Sequence, residues 1–537
     1  MENAIKVFKS QGIPVLEPGR PKYDRAIATA NFLYRFSRPG CVAQPESAAH
    51  VQTIIKEAKS RNLKITIKCR GHSYAGHSTA SEGISLDLRK MKEVKLDMKE
   101  NTVTFDAGCQ WGHVYGTLIN GQHKGFVING GRCPTVGVSG FLLGGGLSPF
   151  TRSFGMGSDT LMEADVVTAD GKLITVKETD NPKSDKGKLF WALCGAGGGN
   201  FGVVVRLKLR VQKLRNQDGT VVAGRYQWFP KAGFTEDIIS TMIDFYTTDW
   251  PNEITIDTTW ICDLRQSAQL GGIRFAITFD GSKADYDGII DKYIKNEELK
   301  VQLKRRVLAE SSTRFLYETL VNQWLEETER AYPANKTYEL YSSFMFTKDN
   351  KGVIQKAIAI VRDLMASFRA DFKGEQVNFL VTWIHSGGKA IEKKPTDSAF
   401  FWREAVFHTY ITVEWVDKWM ERDMRRFLTT VKDALRPLSL NGEAAFINFP
   451  DSDSPIKSYE RAYFGGNFEE LRRVKQIWDK DNFFKWAQGV RLPGEAEGND
   501  GEGEGADKTD QIASEQWEYY KTTDIVKDLN ELADLGY

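Results

Sequence analysis

Residues 70–78 read RGHSYAGHS and residues 131–146 read GRCPTVGVSGFLLGGG. Each stretch carries one nucleophilic side chain, His72 or Cys133, inside a loop of glycines and other small residues. Small residues let backbone N–H groups approach a bound group closely, and an imidazole nitrogen or a thiolate can add to an electron-poor ring. Taken singly, each residue has a simpler reading as a turn histidine or a buried thiol. Taken together they read as two covalent tethers to one cofactor.

Outward from these loops, the pattern alternates between helix and strand. PESAAHVQTIIKEAKS at 45–60 puts Ala48, Val51, Ile54, Ile55 and Ala58 on one helical face, and the strand ITI at 65–67 runs straight into the His72 loop. ADVVTADGKLITV at 164–176 reads as a hairpin on Asp170–Gly171, and FGVVVRLKLRV at 201–211 as a strand. An α+β unit through about residue 214 follows. From about 222 to 449, seven apolar runs (VAGRYQWF, ITIDTTWICDL, IRFAITF, TYELYSSFMF, QVNFLVTWI, VFHTYITVEW and AAFINF) predict one large antiparallel sheet. Helices near 283–298, 350–368 and 416–434 would cover its back.

Four further stretches stand in a telling order: DAGCQWGHVYGTL at 106–118, FGMGSDTLMEADVVTADGKLITV at 154–176, LFWALCGAGGGNFGVV at 189–204 and YFGGNFEELRRVKQIWDKDNFFKWAQ at 463–488. With the two tether loops they resemble the berberine bridge enzyme-like family, flavoproteins of the vanillyl-alcohol-oxidase (PCMH-type) fold, over about residues 36–490. The resemblance implies an α+β chain with a PCMH-type FAD-binding domain at 36–214, a substrate domain at 215–454, and a segment at 455–494 that returns to the first. Residues 1–35 are an N-terminal extension. It also implies FAD held twice, by His72 at the 8α-methyl carbon and by Cys133 at C6. Arg70, Gly71, Ser73 and Tyr74 would line the first loop, and Val136, Gly137, Val138, Ser139 and Gly140 the second. Gly199, Phe201, Val203 and Val204 would run along the cofactor toward its adenine, with Tyr463 and Asn467 near the ring. Lys68-Cys69-Arg70 departs from the family's usual Arg-Ser-Gly before Gly-His, and Arg70 is then a pyrophosphate contact.

Bulk properties narrow the alternatives. The 537 residues are 41% hydrophobic and 27% charged, with net charge +1 and no Lys/Arg-rich run, so neither nucleic acid nor an anionic membrane is implied as a partner. No stretch approaches the ~20 apolar residues of a membrane span. The N-terminal MENAIKVFKSQGIPVLEPGR lacks a secretory apolar core, which predicts a cytoplasmic enzyme. Six cysteines without CxxC spacing predict neither a metal site nor a disulfide framework. GGGNFG at 197–202 satisfies GxGxxG, but the strand VVVRLKLRV follows it where a Rossmann fingerprint needs a helix. EAEGNDGEGEGADKTD predicts an acidic, glycine-rich linker over 495–511, and the stretch 512–537 predicts a helix that docks on the body or on a partner.

The chemistry expected is hydride transfer from a small organic, specialised-metabolite substrate to flavin N5, with O2 as acceptor and H2O2 as product. Two alternatives are an oligosaccharide oxidase and a redox-neutral isomerase or cyclase. In the family, a tyrosine near the end of the substrate domain is a frequent base, and the matching stretch FINFPDSD puts Phe449 there. The resemblance implies a second base position, a glutamate in berberine bridge formation, on the strand after FFWRE at 400–404, here VFHTYITVEW, where it falls on His408 or Thr409. There Phe407, Thr409, Ile411, Val413 and Trp415 form one face, leaving His408 and Tyr410 on the other. His408 is the first candidate, with Tyr410 and Tyr463 behind it, while His385 reads as a rim or structural residue. Val136, three residues after Cys133, matches a family position that gates oxygen and at which valine is permissive.

Overall fold

The computed structural model describes residues 1–265, 271–330, 337–452 and 458–495. The predicted linker beyond Glu495 and the C-terminal helix lie outside the described residues. At the N-terminal end, Val15–Leu16, Cys41–Ala43, Ile84–Asp87 and Ile65–Lys68 form a small sheet in that order, with its last three strands parallel. The helix Ala48–Ser60 starts where the Ser47 hydroxyl accepts from His50 N, and it buries Val51, Ile54, Ile55 and Ala58.

A second, antiparallel sheet is organised on the long strand Val203–Lys213. That strand pairs with Thr102–Asp106 on one edge, and with Leu161–Val167 and Phe126–Ile128 on the other. The Asp170–Gly171 hairpin joins Leu161–Val167 to Leu173–Lys177, with Gly171 at φ +70° supplying the left-handed turn residue.

The second half of the chain builds seven antiparallel strands in the order Val307–Ser311, Thr220–Trp228, Gly272–Phe279, Ile254–Asp263, Val377–His385, Phe407–Trp415, Tyr338–Phe346. On one face, Trp260, Phe379, Ile411, Val413 and Trp415 pack under the helices Glu236–Thr247, Lys351–Asp371 and Glu421–Leu435. On the other face, Ala276, Tyr341, Ile384 and Tyr410 join the core that fills the N-terminal half. Both faces are therefore dry, and the strands read as near-continuous apolar runs.

Two sequence expectations fail here. AAFINF is a turn-containing loop, not a seventh long strand, because its polar groups bond to three separate elements. Ala445 N donates to Ala462 O, Phe446 N to Ser343 Oγ, and Asn448 Nδ2 to Phe141 O. The seventh strand is Val307–Ser311, which the alternation did not single out.

After the sheet, the chain returns to the first half. Helix Phe468–Trp478 lies against Asp185–Leu193, and Trp478 Nε1 donates to Asp185 O. Its anchor is Lys475, 0% exposed, whose Nζ donates to Asp479 Oδ2 at 2.6 Å, Phe484 O at 2.6 Å and Asn200 O at 2.7 Å. One ammonium thus clamps the glycine loop 197–202 to the returning segment. Its partner Asp479 is as deeply buried, so removing the cation strands a carboxylate. Lys475→Met is expected to destabilise the protein by about 3–5 kcal/mol, read as a lower urea midpoint; an unchanged midpoint would show that the clamp does not hold the loop.

Candidate active site

The strand Ile65–Lys68 ends in a sharp turn at Gly71 (φ +78°), where a Cβ would meet the Lys68 side chain at 2.8 Å. This turn carries His72 and Tyr74 into a cavity between the two halves of the fold. Cys133 enters the same cavity from the loop after Phe126–Ile128. Its neighbour Arg132 anchors that loop: Nε and Nη2 donate to Asp257 Oδ2 and Oδ1 at 2.5 and 3.0 Å, both residues being 6% exposed. Asp257 also accepts from His385 N at 2.9 Å, so the loop is locked onto the centre of the large sheet.

A short helix, Leu325–Arg330, completes this end of the site. Glu326 is held by Arg225 at 2.7 Å and by Arg274. Next to it, Glu327 is buried and accepts from Tyr74 Oη at 2.8 Å and from Tyr410 Oη at 3.1 Å. Thr328 Oγ1 lies 3.3 Å from Cys133 Sγ, and Thr135 Oγ1 3.2 Å from it. None of Trp324, Glu327 and Thr328 is evident from sequence. WLEETER reads as an ordinary acidic, solvated helix, and only the fold shows which of its three glutamates turns inward.

Opposed effects of burial and neighbouring groups set the state of His72 and Cys133. Burial pushes the Cys133 thiol up, but the nearby His72 side chain, with the Thr135 and Thr328 hydroxyls, outweighs it and holds the thiol below its ordinary value. Burial likewise pulls His72 down, yet Cys133 and the Glu327 carboxylate raise it above the usual imidazole range. Each side chain thus shifts the other, the thiol down and the imidazole up. In the other five cysteines burial prevails and raises each of them.

Most expected cofactor contacts line this cavity: Arg70, Gly71, Ser73, Tyr74, Val136, Gly137, Ser139, Gly140, Gly199 and Val204. Val138, Phe201 and Val203 do not. They are buried behind it, Val203 because neighbouring strand residues point to opposite faces. Tyr463 and Asn467 are also set away from the wall. Tyr463 Oη donates to Gln488 and accepts from Asp451 N, and Asn467 Nδ2 donates to Pro395 O and Ser398 O.

Among the candidate bases, Tyr410 is at the wall, stacked on Phe449 with ring centroids 4.4 Å apart. His408 shares its strand face but sits behind Phe446 (5.0 Å) and Phe400 (5.7 Å), and does not reach the cavity. Burial, with the Arg132 and Arg403 charges, pulls His408 down to about 3, so it is neutral where a base near neutrality was expected. His385 accepts from Ile256 N and stacks on Phe407, a structural role.

The cavity fits a cofactor that offers polar groups to its wall. Arg70 Nε, His72 Nε2, Ser78 Oγ and Trp486 Nε1 all line it, are buried, and have no protein hydrogen-bond partner among the described residues. Gly140 faces open space, with nothing within 4 Å of where a Cβ would stand. Among the described residues, no group of three His, Cys, Asp or Glu side chains could hold a metal ion, and no helix is long and apolar enough to cross a membrane.

Comparison with known proteins agrees with this geometry. Residues 39–177 match an FAD binding domain model and residues 445–491 the berberine and berberine-like model. The chain is 26% identical over 503 residues to an FAD-linked oxidoreductase, easE, of Arthroderma benhamiae, covering 87% of this chain and 92% of that one. It is 24% identical over 534 residues to the tetrahydroberberine oxidase of Argemone mexicana, covering 91% and 90%. A solved berberine bridge enzyme variant in complex with (S)-reticuline shares the fold at TM-score 0.75 and 18% identity, over 92% of this chain and 99% of that one.

The His72–Cys133 pairing makes a testable demand on flavin-free protein. Iodoacetamide labelling of Cys133, followed by peptide mapping, should titrate below the ordinary thiol value of 9.0. In His72→Ala burial is left dominant, and the midpoint should move above that of the wild type; equal midpoints would show that His72 does not act on the thiol.

Proposed function

We propose that this chain, which belongs to the berberine bridge enzyme-like FAD-linked oxidoreductases, holds FAD through covalent bonds from both His72 and Cys133. It oxidises a small organic molecule and passes the electrons to O2, giving H2O2. In this reading residues 36–214 carry the cofactor and 215–454 supply the substrate wall. The observation that carries it is the convergence of His72 and Cys133 on the one cavity that Tyr410 also lines. Bound FAD supplies the hydride acceptor.

The chain's own residues bind, orient and move protons. Trp324, Ile384, Phe446 and Phe449 form an apolar wall beside Tyr410, which suits an aromatic or alicyclic body better than a polyol and keeps water away. Tyr410 Oη donates to Glu327 Oε1, so a substrate O–H or N–H proton taken up at this hydroxyl is matched by passage of its own proton to the carboxylate. His408 takes no part. Val136, at the wall three residues from Cys133, would leave more room for oxygen to reach a bound cofactor than a larger side chain.

Acid precipitation tests the attachment. The wild-type pellet should stay yellow, and His72→Ala and Cys133→Ala should each retain flavin through the remaining bond. Release of free FAD from the wild type would sink the two-tether reading.

The acceptor is tested without knowing the substrate. Flavin photoreduced under anaerobic conditions should reoxidise rapidly when air is admitted, and markedly more slowly in Val136→Leu, where the added methylene fills the space beside the ring. Equal rates in both proteins would withdraw Val136 from oxygen access, and slow reoxidation of the wild type would replace the oxidase with a dehydrogenase.

A further inference from the structure

We infer that Glu327 is the base for the covalent coupling of the cofactor, taking the proton that the flavin 8α-methyl carbon loses as His72 bonds it. The inference rests on the two-tether proposal above.

Three contacts put Glu327 between the tethers. Its neighbour Thr328 reaches Cys133 Sγ at 3.3 Å. Tyr74, edge-on to the His72 ring with centroids 5.3 Å apart, donates its hydroxyl to Glu327 at 2.8 Å. Glu326, gripped by Arg225 and Arg274, fixes the helix that carries them, so the carboxylate is held in place before any cofactor arrives. The Glu327 charge is also felt at the His72 ring, which it raises.

Glu327 stands apart from the other groups at the wall. Glu327 is the one carboxylate lining the cavity among the described residues. His77, packed against Trp486 with centroids 3.9 Å apart, is pulled by burial to about 3, and Arg70 and Arg132 are cations. A buried carboxylate within a hydrogen bond of the loop that bears the nucleophile has the geometry of a general base.

The step balances as follows. A C–H bond of the 8α-methyl breaks and its proton goes to a Glu327 oxygen. The bond from the His72 nitrogen to that carbon forms, and two electrons remain on the ring. O2, the acceptor in the proposed reaction, takes those electrons with one proton from Glu327 and one from the His72 imidazole, leaving as H2O2. Attachment then requires oxygen but no second protein.

Full-length wild type, Glu327→Gln and Glu327→Asp, supplied with FAD and held in air, are denatured at intervals and digested, and the flavin-bearing peptides are weighed. The His72 adduct should form roughly 10²-fold or more slowly in Glu327→Gln, with the Cys133 adduct kept, and Glu327→Asp should recover much of the rate. A His72 adduct appearing in Glu327→Gln at the wild-type rate overturns the inference, and so does Glu327→Asp being as slow as Glu327→Gln. Wild-type protein that shows no His72 adduct overturns the two-tether proposal instead.

Discussion

The ion pair of Arg132 with Asp257 joins the two halves of this molecule at the point where chemistry is to happen. Cys133 sits on a loop from one half, and the apolar wall and Tyr410 belong to the sheet of the other. Neither can be positioned for the other by local structure. Two N–H···O contacts of 2.5 and 3.0 Å, in surroundings that leave both residues 6% exposed, fix the distance between them. A pair so deeply buried contributes little net stability, because desolvation offsets most of the attraction, but it tolerates no misalignment. Its value here is registry.

The same buried setting treats histidines in opposite ways. His77, His385 and His408 are all enclosed and all pulled toward the neutral form, the last two further by nearby arginines. His72 is equally enclosed and moves the other way, because Cys133 and Glu327 place negative charge beside it. Burial alone keeps a histidine neutral. At His72 that pull is opposed by anionic partners, and in this fold they come from two different segments.

The long C-terminal return follows from a related constraint. A glycine loop that must lie open to a cofactor cannot stiffen itself through side chains, so rigidity is imported. Lys475 supplies it from a helix more than two hundred residues away in sequence, donating to Asn200 O at 2.7 Å. Trp486, from the segment just beyond, lines the same cavity. The family match at 445–491 thus covers part of the cavity wall itself.

Local pattern was enough to determine much of this. Glycine loops around a lone His and a lone Cys, the Asp170–Gly171 turn and the strand after GGGNFG are short-range signals, and the order of the motifs carried the fold class. The two faces of Phe407–Trp415 also followed from a two-residue alternation. What alternation cannot say is how far along a face the cavity extends. His408 and Tyr410 were equivalent in sequence, and only the packing of Phe446 and Phe400 closed one off while leaving the other at the wall. AAFINF looked like a strand until long-range hydrogen bonds drew its backbone to three partners. Glu327 was invisible for the same reason: one glutamate in a run of three on an acidic helix is distinguished solely by Tyr74 and Tyr410, which lie some 250 residues before it and 83 after it in the chain. Tertiary structure alone brings such residues together, because burial and hydrogen bonding depend on neighbours in space, and the sequence orders neighbours only along the chain.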